Sequence, residues 1–93
     1  MKYFMGLDPG KSGGIALVNE DGDHAVVHKV TDSERDLWLF FKEYSSEVQF
    51  AKLELVHSSP QMGVRSAFSF GGSYGFLRGI LIASEMKFAP RNG

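Results

Sequence analysis

An α/β fold with a mixed sheet, its elements ordered β-β-β-α-β-α-(β), is what this sequence predicts. Three observations carry the prediction. Two apolar runs at the N-terminus flank the turn Pro9-Gly10-Lys11-Ser12-Gly13-Gly14, which reads as strand, glycine bend, strand. Leu37, Phe40, Phe41 and Tyr44 then recur at helical spacing. Residues 48–56 give a further apolar run, hydrophobic on both faces, and so predicted to be central and parallel to the first strand.

Taken in order, residues 2–8 and 14–19 are the first two strands. Asn19-Glu20-Asp21-Gly22-Asp23 turns the chain back as a hairpin, and residues 25–30 form the third strand. Thr31-Asp32-Ser33-Glu34 reads as a capping box, with Thr31 accepting from the amide of Glu34. The helix it opens intersperses Asp36, Lys42 and Glu43 among its apolar positions, and Ser45-Ser46 ends it. In the fourth strand, alternation puts Phe50, Lys52 and Glu54 on one face and Ala51, Leu53 and Leu55 on the other. A long helical segment runs from Ser58-Ser59-Pro60 to about Glu85 and contains Gly71, Gly72, Gly75 and Gly79. Each glycine costs about 1 kcal/mol against alanine inside a helix, so the four imply a packing or bending purpose. Met86-Lys87-Phe88-Ala89 opens a fifth strand.

Composition narrows the function classes. The chain has 93 residues, enough for one small domain that buries roughly 60–65% of its unfolded surface. A hydrophobic content of 43%, with eight Phe and one Trp, excludes a disordered chain. Cysteine is absent, so disulfides and thiolate metal sites are excluded, and any metal must be held by oxygen or imidazole. Neither a signal peptide nor an apolar run of membrane-spanning length is evident, which leads to the expectation of a soluble, cytoplasmic protein. A net charge of −1 supplies no global attraction to nucleic acid, so DNA binding requires a local basic patch.

Two carboxylates stand out. Asp8 ends the first strand beside the glycine bend, and Glu54 stands near the end of the fourth. Asp before Pro-Gly is also a common turn residue, and Glu54 has a structural alternative in a salt bridge to Lys52 or Arg65. The functional alternative is that both converge on a divalent cation, whose charge offsets their repulsion; hard carboxylate oxygens suit Mg²⁺ or Mn²⁺. A P-loop is excluded, because the first glycine of that pattern falls on Met5 and the segment enters a strand rather than a helix. Lys11, Arg65 and Arg78 are candidate phosphate contacts. Gly63, in Met62-Gly63-Val64-Arg65-Ser66, would let a phosphate approach the head of the long helix. His57 is a weaker candidate, as a lone histidine is more often structural.

Three segments together resemble RuvC-type Holliday-junction resolvases, especially their phage-encoded relatives. Residues 6–14 resemble the family's first motif, and Leu53-Glu54-Leu55-Val56-His57 resembles its second acidic motif. Residues 60–71 and 75–81 are similar to the helix that follows. The resemblance implies an RNase-H-like fold, with a mixed sheet in the order 3-2-1-4-5 and strands 1 and 4 adjacent and parallel. It further implies a homodimeric, Mg²⁺-dependent endodeoxyribonuclease of branched DNA, in which Asp8 and Glu54 hold metal. The family's remaining catalytic acids lie on a C-terminal helix, whereas the single acid here after Glu54 is Glu85. The expectation is therefore one RuvC-type domain over residues 1–93, incomplete at its C-terminus, with part of the metal site missing. The alternatives are a non-catalytic DNA- or protein-binding module on the same scaffold and, third, an actin-like ATPase fragment. Gly72, Gly75, Gly79 and Ala83 form a smooth stripe on the long helix, which is expected to lie in a homodimer interface.

Overall fold

The computed structural model describes residues 1–9, 13–30, 33–54 and 64–90, with the backbone alone for 64–70. Its elements are β1 (Tyr3–Leu7), β2 (Gly14–Asn19), β3 (Ala25–Lys29), α1 (Glu34–Tyr44), β4 (Val48–Leu53), α2 (Val64–Ala83) and β5 (Phe88–Ala89). A single 3-10 turn, Ser45–Glu47, joins α1 to β4. The five strands form one sheet in the order β3-β2-β1-β4-β5, as the resemblance implied. β1 pairs antiparallel with β2 and parallel with β4, so the fourth strand is indeed central.

Local chemistry accounts for the elements. Gly22 takes a φ of +74°, the left-handed conformation that the β2–β3 turn needs, and its amide donates to the Asn19 carbonyl at 3.0 Å. Asn19 is buried, and the turn satisfies its side chain: Nδ2 donates to Asp23 at 2.7 Å, and Oδ1 accepts from the His24 amide at 3.0 Å. The start of α1 differs from the capping box expected. Ser33 is the N-cap, its hydroxyl accepting from the Asp36 amide at 3.1 Å, while Thr31 lies outside the described residues. With Ser33 as the N-cap, Glu34 and Asp36 fall in the first turn, next to the positive end of the helix.

β4 carries a bulge. Tyr3 pairs with Val48 but Phe4 with Phe50, so Gln49 is an extra residue. The bulge resets the alternation, and Ala51 and Leu53 reach the core while Phe50 and Lys52 face away. That partition matches the sequence expectation as far as Glu54; Leu55 and Val56 lie outside the described residues.

α2 ends at Ala83, and Glu85 adopts a left-handed φ of 54° just beyond it. The Met86 amide donates to the Leu81 carbonyl at 3.1 Å and the Glu85 amide to Ile82 at 3.0 Å, which is a Schellman termination. Leu81 and Met86 are both buried, supplying its usual apolar contact.

Both helices cover one face of the sheet. Leu37, Phe40 and Phe41 from α1 and Leu77, Ile80 and Leu81 from α2 join a single core with Met5, Leu7, Ile15, Leu17, Ala51 and Leu53. Among the described residues, no element covers the opposite face. Phe4 is 49% exposed and pairs with Val18 on one side and Phe50 on the other, so an apolar row crosses three strands. The helix glycines do not explain themselves by internal packing: a Cβ at Gly71, Gly72, Gly75 or Gly79 would meet nothing within 4 Å. Close approach of α2 to its own sheet is thus not their purpose.

Two stability predictions follow from these backbones. A Cβ at Gly14 would lie 3.0 Å from the His28 carbonyl oxygen, whereas one at Gly79 meets open space. Gly14→Ala should therefore destabilise by about 1–2 kcal/mol, and Gly79→Ala should stabilise by about 0.5–1 kcal/mol, in urea denaturation. Equal shifts in the two variants would refute the packing argument. Glu85→Gly should also stabilise, by about 0.5–1 kcal/mol, because it removes the left-handed strain of a residue bearing Cβ. A lower denaturation midpoint for that variant would mean that the glutamate side chain has a role of its own.

Candidate functional site

Asp8 and Glu54 are brought together by main-chain hydrogen bonds that extend the sheet one residue past both strands. The Asp8 amide donates to the Gly14 carbonyl at 2.9 Å, prolonging the β1–β2 ladder. The Glu54 amide donates to the Leu7 carbonyl, also at 2.9 Å, prolonging β1–β4. The Leu7–Asp8 peptide unit is thus gripped from both sides, its carbonyl by one strand and its N–H by the other.

Register then decides where the carboxylates stand. Leu7 is opposite Leu53, and both are buried beneath the helices. One further step puts Asp8 opposite Glu54 across strands about 4.8 Å apart, with alternation turning both from the helix-covered face. Asp8 is half-buried and Glu54 exposed. Glu54 shares its exposure with Phe50 and Lys52 on the same face of β4, so it requires no buried partner.

The donor set fits a hard divalent cation in part. Two carboxylates supply oxygen ligands of the right type, and water would have to complete a six-oxygen shell. Among the described residues, no group of three or more His, Asp or Glu side chains is disposed to hold a metal ion. Elsewhere, His28, Asp36 and Glu43 line a cleft of about 380 Å³ between α1 and β3, without forming such a group. A second cleft of about 370 Å³ lies between the helices, lined among the described residues by one carboxylate, Glu34.

The basic candidates are less resolved. Arg78 is half-buried on α2 and, among the described residues, takes part in no ion pair. Arg65 lies in the first turn of α2, where the backbone alone is described. Lys11, Gly63 and His57 lie outside the described residues. The sequence reading missed the part played by Gly14. Its carbonyl anchors Asp8 and its missing side chain admits the His28 carbonyl; the signal was the second glycine of Gly13-Gly14 at the very start of a strand.

No family model and no curated protein sequence matches this chain. A solved structure does: T. thermophilus RuvC in complex with a Holliday junction substrate is similar with a TM-score of 0.67 and 14% identity. The match covers 95% of this chain and 62% of that one, so the present chain spans less than two thirds of the RuvC chain. At this identity the likeness shows the fold, an RNase-H-like mixed sheet in the order 3-2-1-4-5 with two helices.

Proposed function

We propose that this chain is all or part of a metal-dependent endodeoxyribonuclease acting on branched DNA, with Asp8 and Glu54 as metal-binding carboxylates. The observation that carries the reading is their side-by-side register at the ends of the two central parallel strands of an RNase-H-like sheet. The neighbour in complex with junction DNA supports the substrate class. Mg²⁺ or Mn²⁺ held there would supply Lewis-acid chemistry to phosphodiester hydrolysis. The residues themselves fix two oxygen donors in space, and the exposed Glu54 leaves the site open to a large polyanion.

Residues 1–93 read best as the N-terminal part of a RuvC-type domain, and the bare apolar row Phe4, Val18 and Phe50 supports a larger whole. The homodimer belongs to the same reading. The glycine stripe of α2 is open, and Ile82 on the same helix is 52% exposed. No helix among the described residues is long and apolar enough to cross a membrane.

Calorimetry with Mn²⁺ should detect weak binding that is lost in Asp8→Asn and in Glu54→Gln; equal binding by wild type and Asp8→Asn would remove Asp8 from the site. With Mg²⁺, the chain should bind a four-way junction and cut it poorly, since two carboxylates provide part of a two-metal clamp. Robust cleavage abolished by Glu54→Gln would prove the pair sufficient. Metal-independent junction binding, with no cleavage under any metal, would favour the non-catalytic module. ATP hydrolysis without DNA affinity would instead favour the ATPase reading.

A further inference from the structure

Register extends the row of the two acids across the sheet. Gly14 lies beside Asp8 on β2, through the hydrogen bond that prolongs the ladder, and pairs in turn with Lys29 of β3. Residues directly opposite one another in a sheet point to the same side, so Lys29, Gly14, Asp8 and Glu54 form one row across four strands. Burial agrees. Val26 packs on the core, and His28 stacks on Phe40 of α1 with ring centroids 4.7 Å apart, so Lys29, the next residue, turns to the face that no described element covers. Lys52 reaches the same face between the buried Ala51 and Leu53, two residues before Glu54. Both lysines are exposed.

A glycine adjoins each lysine on the side of Asp8. Gly14 puts no side chain between Lys29 and Asp8, whose strands are two spacings, about 10 Å, apart. Gly6 is opposite Lys52 and on the same face as Asp8, and a Cβ there would meet nothing within 4 Å. Among the described residues neither lysine is in an ion pair, so the salt bridge from Glu54 to Lys52 that the sequence allows does not form. Two carboxylates and two ammonium groups cancel one another, and the cluster by itself attracts no polyanion. A divalent cation on the carboxylates would leave it net positive, with Lys29 toward one edge of the sheet and Lys52 toward the other.

We propose that Lys29 and Lys52 are positioning residues that hold DNA phosphates beside the Asp8–Glu54 pair, and that a divalent cation on the pair makes their charge available to the DNA. This rests on the nuclease reading above and adds to it which residues of the sheet face grip the strand and why that grip depends on metal. Without the cation, the carboxylates repel the same phosphates that the lysines attract.

Junction binding and metal binding are to be measured separately. By anisotropy of a labelled four-way junction, Mn²⁺ should tighten binding by wild type about 10-fold. With Mn²⁺ present, Lys29→Gln combined with Lys52→Gln should weaken binding about 10-fold and reduce the log–log salt slope by about 1.8, the share of two phosphates. Calorimetry should find that this variant binds Mn²⁺ at least as tightly as wild type, since two neighbouring cations are gone. Lys29→Arg combined with Lys52→Arg should preserve junction binding. Lys42→Gln, on the helix-covered side, should change it less than about twofold. All three positions are exposed, so circular dichroism should match wild type. If the glutamine pair binds the junction as well as wild type does, the lysines only neutralise the acids; the proposal is overturned and the nuclease reading stands. An equal loss from Lys42→Gln also overturns it, because the effect is then one of net charge. Absence of Mn²⁺ binding by wild type removes the carboxylate reading and this inference with it.

Discussion

The Leu7–Asp8 peptide unit is the point on which the candidate site depends. Its carbonyl accepts from the Glu54 amide and its N–H donates to the Gly14 carbonyl, each at 2.9 Å. Buried backbone groups are nearly always paired, so the sheet continues past β1 on both sides until both are satisfied. Satisfying them aligns Asp8 with Glu54. The carboxylate pair is therefore a consequence of main-chain pairing, and no side-chain contact between the two acids is needed to produce it. Leu7, fully buried, holds the same unit from below.

A second constraint is that the described helices cover one face of a five-stranded sheet. The core they enclose is well filled, with Phe41, Leu7, Ile15, Leu17, Leu53, Leu77 and Leu81 nearly inaccessible. Burial of each such side chain contributes about 1.5–3 kcal/mol. The other face keeps Phe4, Val18, Val27 and Phe50 in solvent, Val27 at 73%. Scattered exposed apolar residues are ordinary, but a row aligned by register across β2, β1 and β4 is a contiguous surface. The acids stand on this same side, beyond the strand ends. Whatever covers the row would border Asp8 and Glu54, so the packing of that face and the chemistry of the site are not independent problems.

Much of this architecture was legible in the sequence. Period-two and period-3.6 patterns are dictated by backbone geometry, so α1 and the core faces of β1 and β4 could be read from Leu37, Phe40, Phe41, Met5, Leu7, Ala51 and Leu53. The central position of β4 followed from its hydrophobicity, and strand order came from the resemblance. Other features depend on hydrogen-bond competition that a pattern does not encode. Ser33 caps α1, although Thr31 with Glu34 three residues on offers the same cap chemistry in sequence. The bulge at Gln49 left no clear mark in composition. The α2 glycines were read as packing devices, and the open space around Gly71, Gly72, Gly75 and Gly79 shows that packing within the chain is not the reason. Alternation placed Glu54 on the face of Phe50 and Lys52, and its exposure agrees with that face.

The exposure of Glu54 also explains how the fold tolerates two adjacent carboxylates. Like charges 4 Å apart repel by about 1 kcal/mol in water but by several times that amount at the lower effective dielectric near a protein surface. Asp8 is half-buried and Glu54 is in solvent, so the repulsion lies toward the weaker end of that range. The cooperative pairing of β1 with β2 and β4 can exceed it, since it is joined to burial of Leu7, Ile15 and Leu53 in one core. Folding therefore does not wait on a bound cation to neutralise the pair. Main-chain pairing sets where both acids stand before anything binds them.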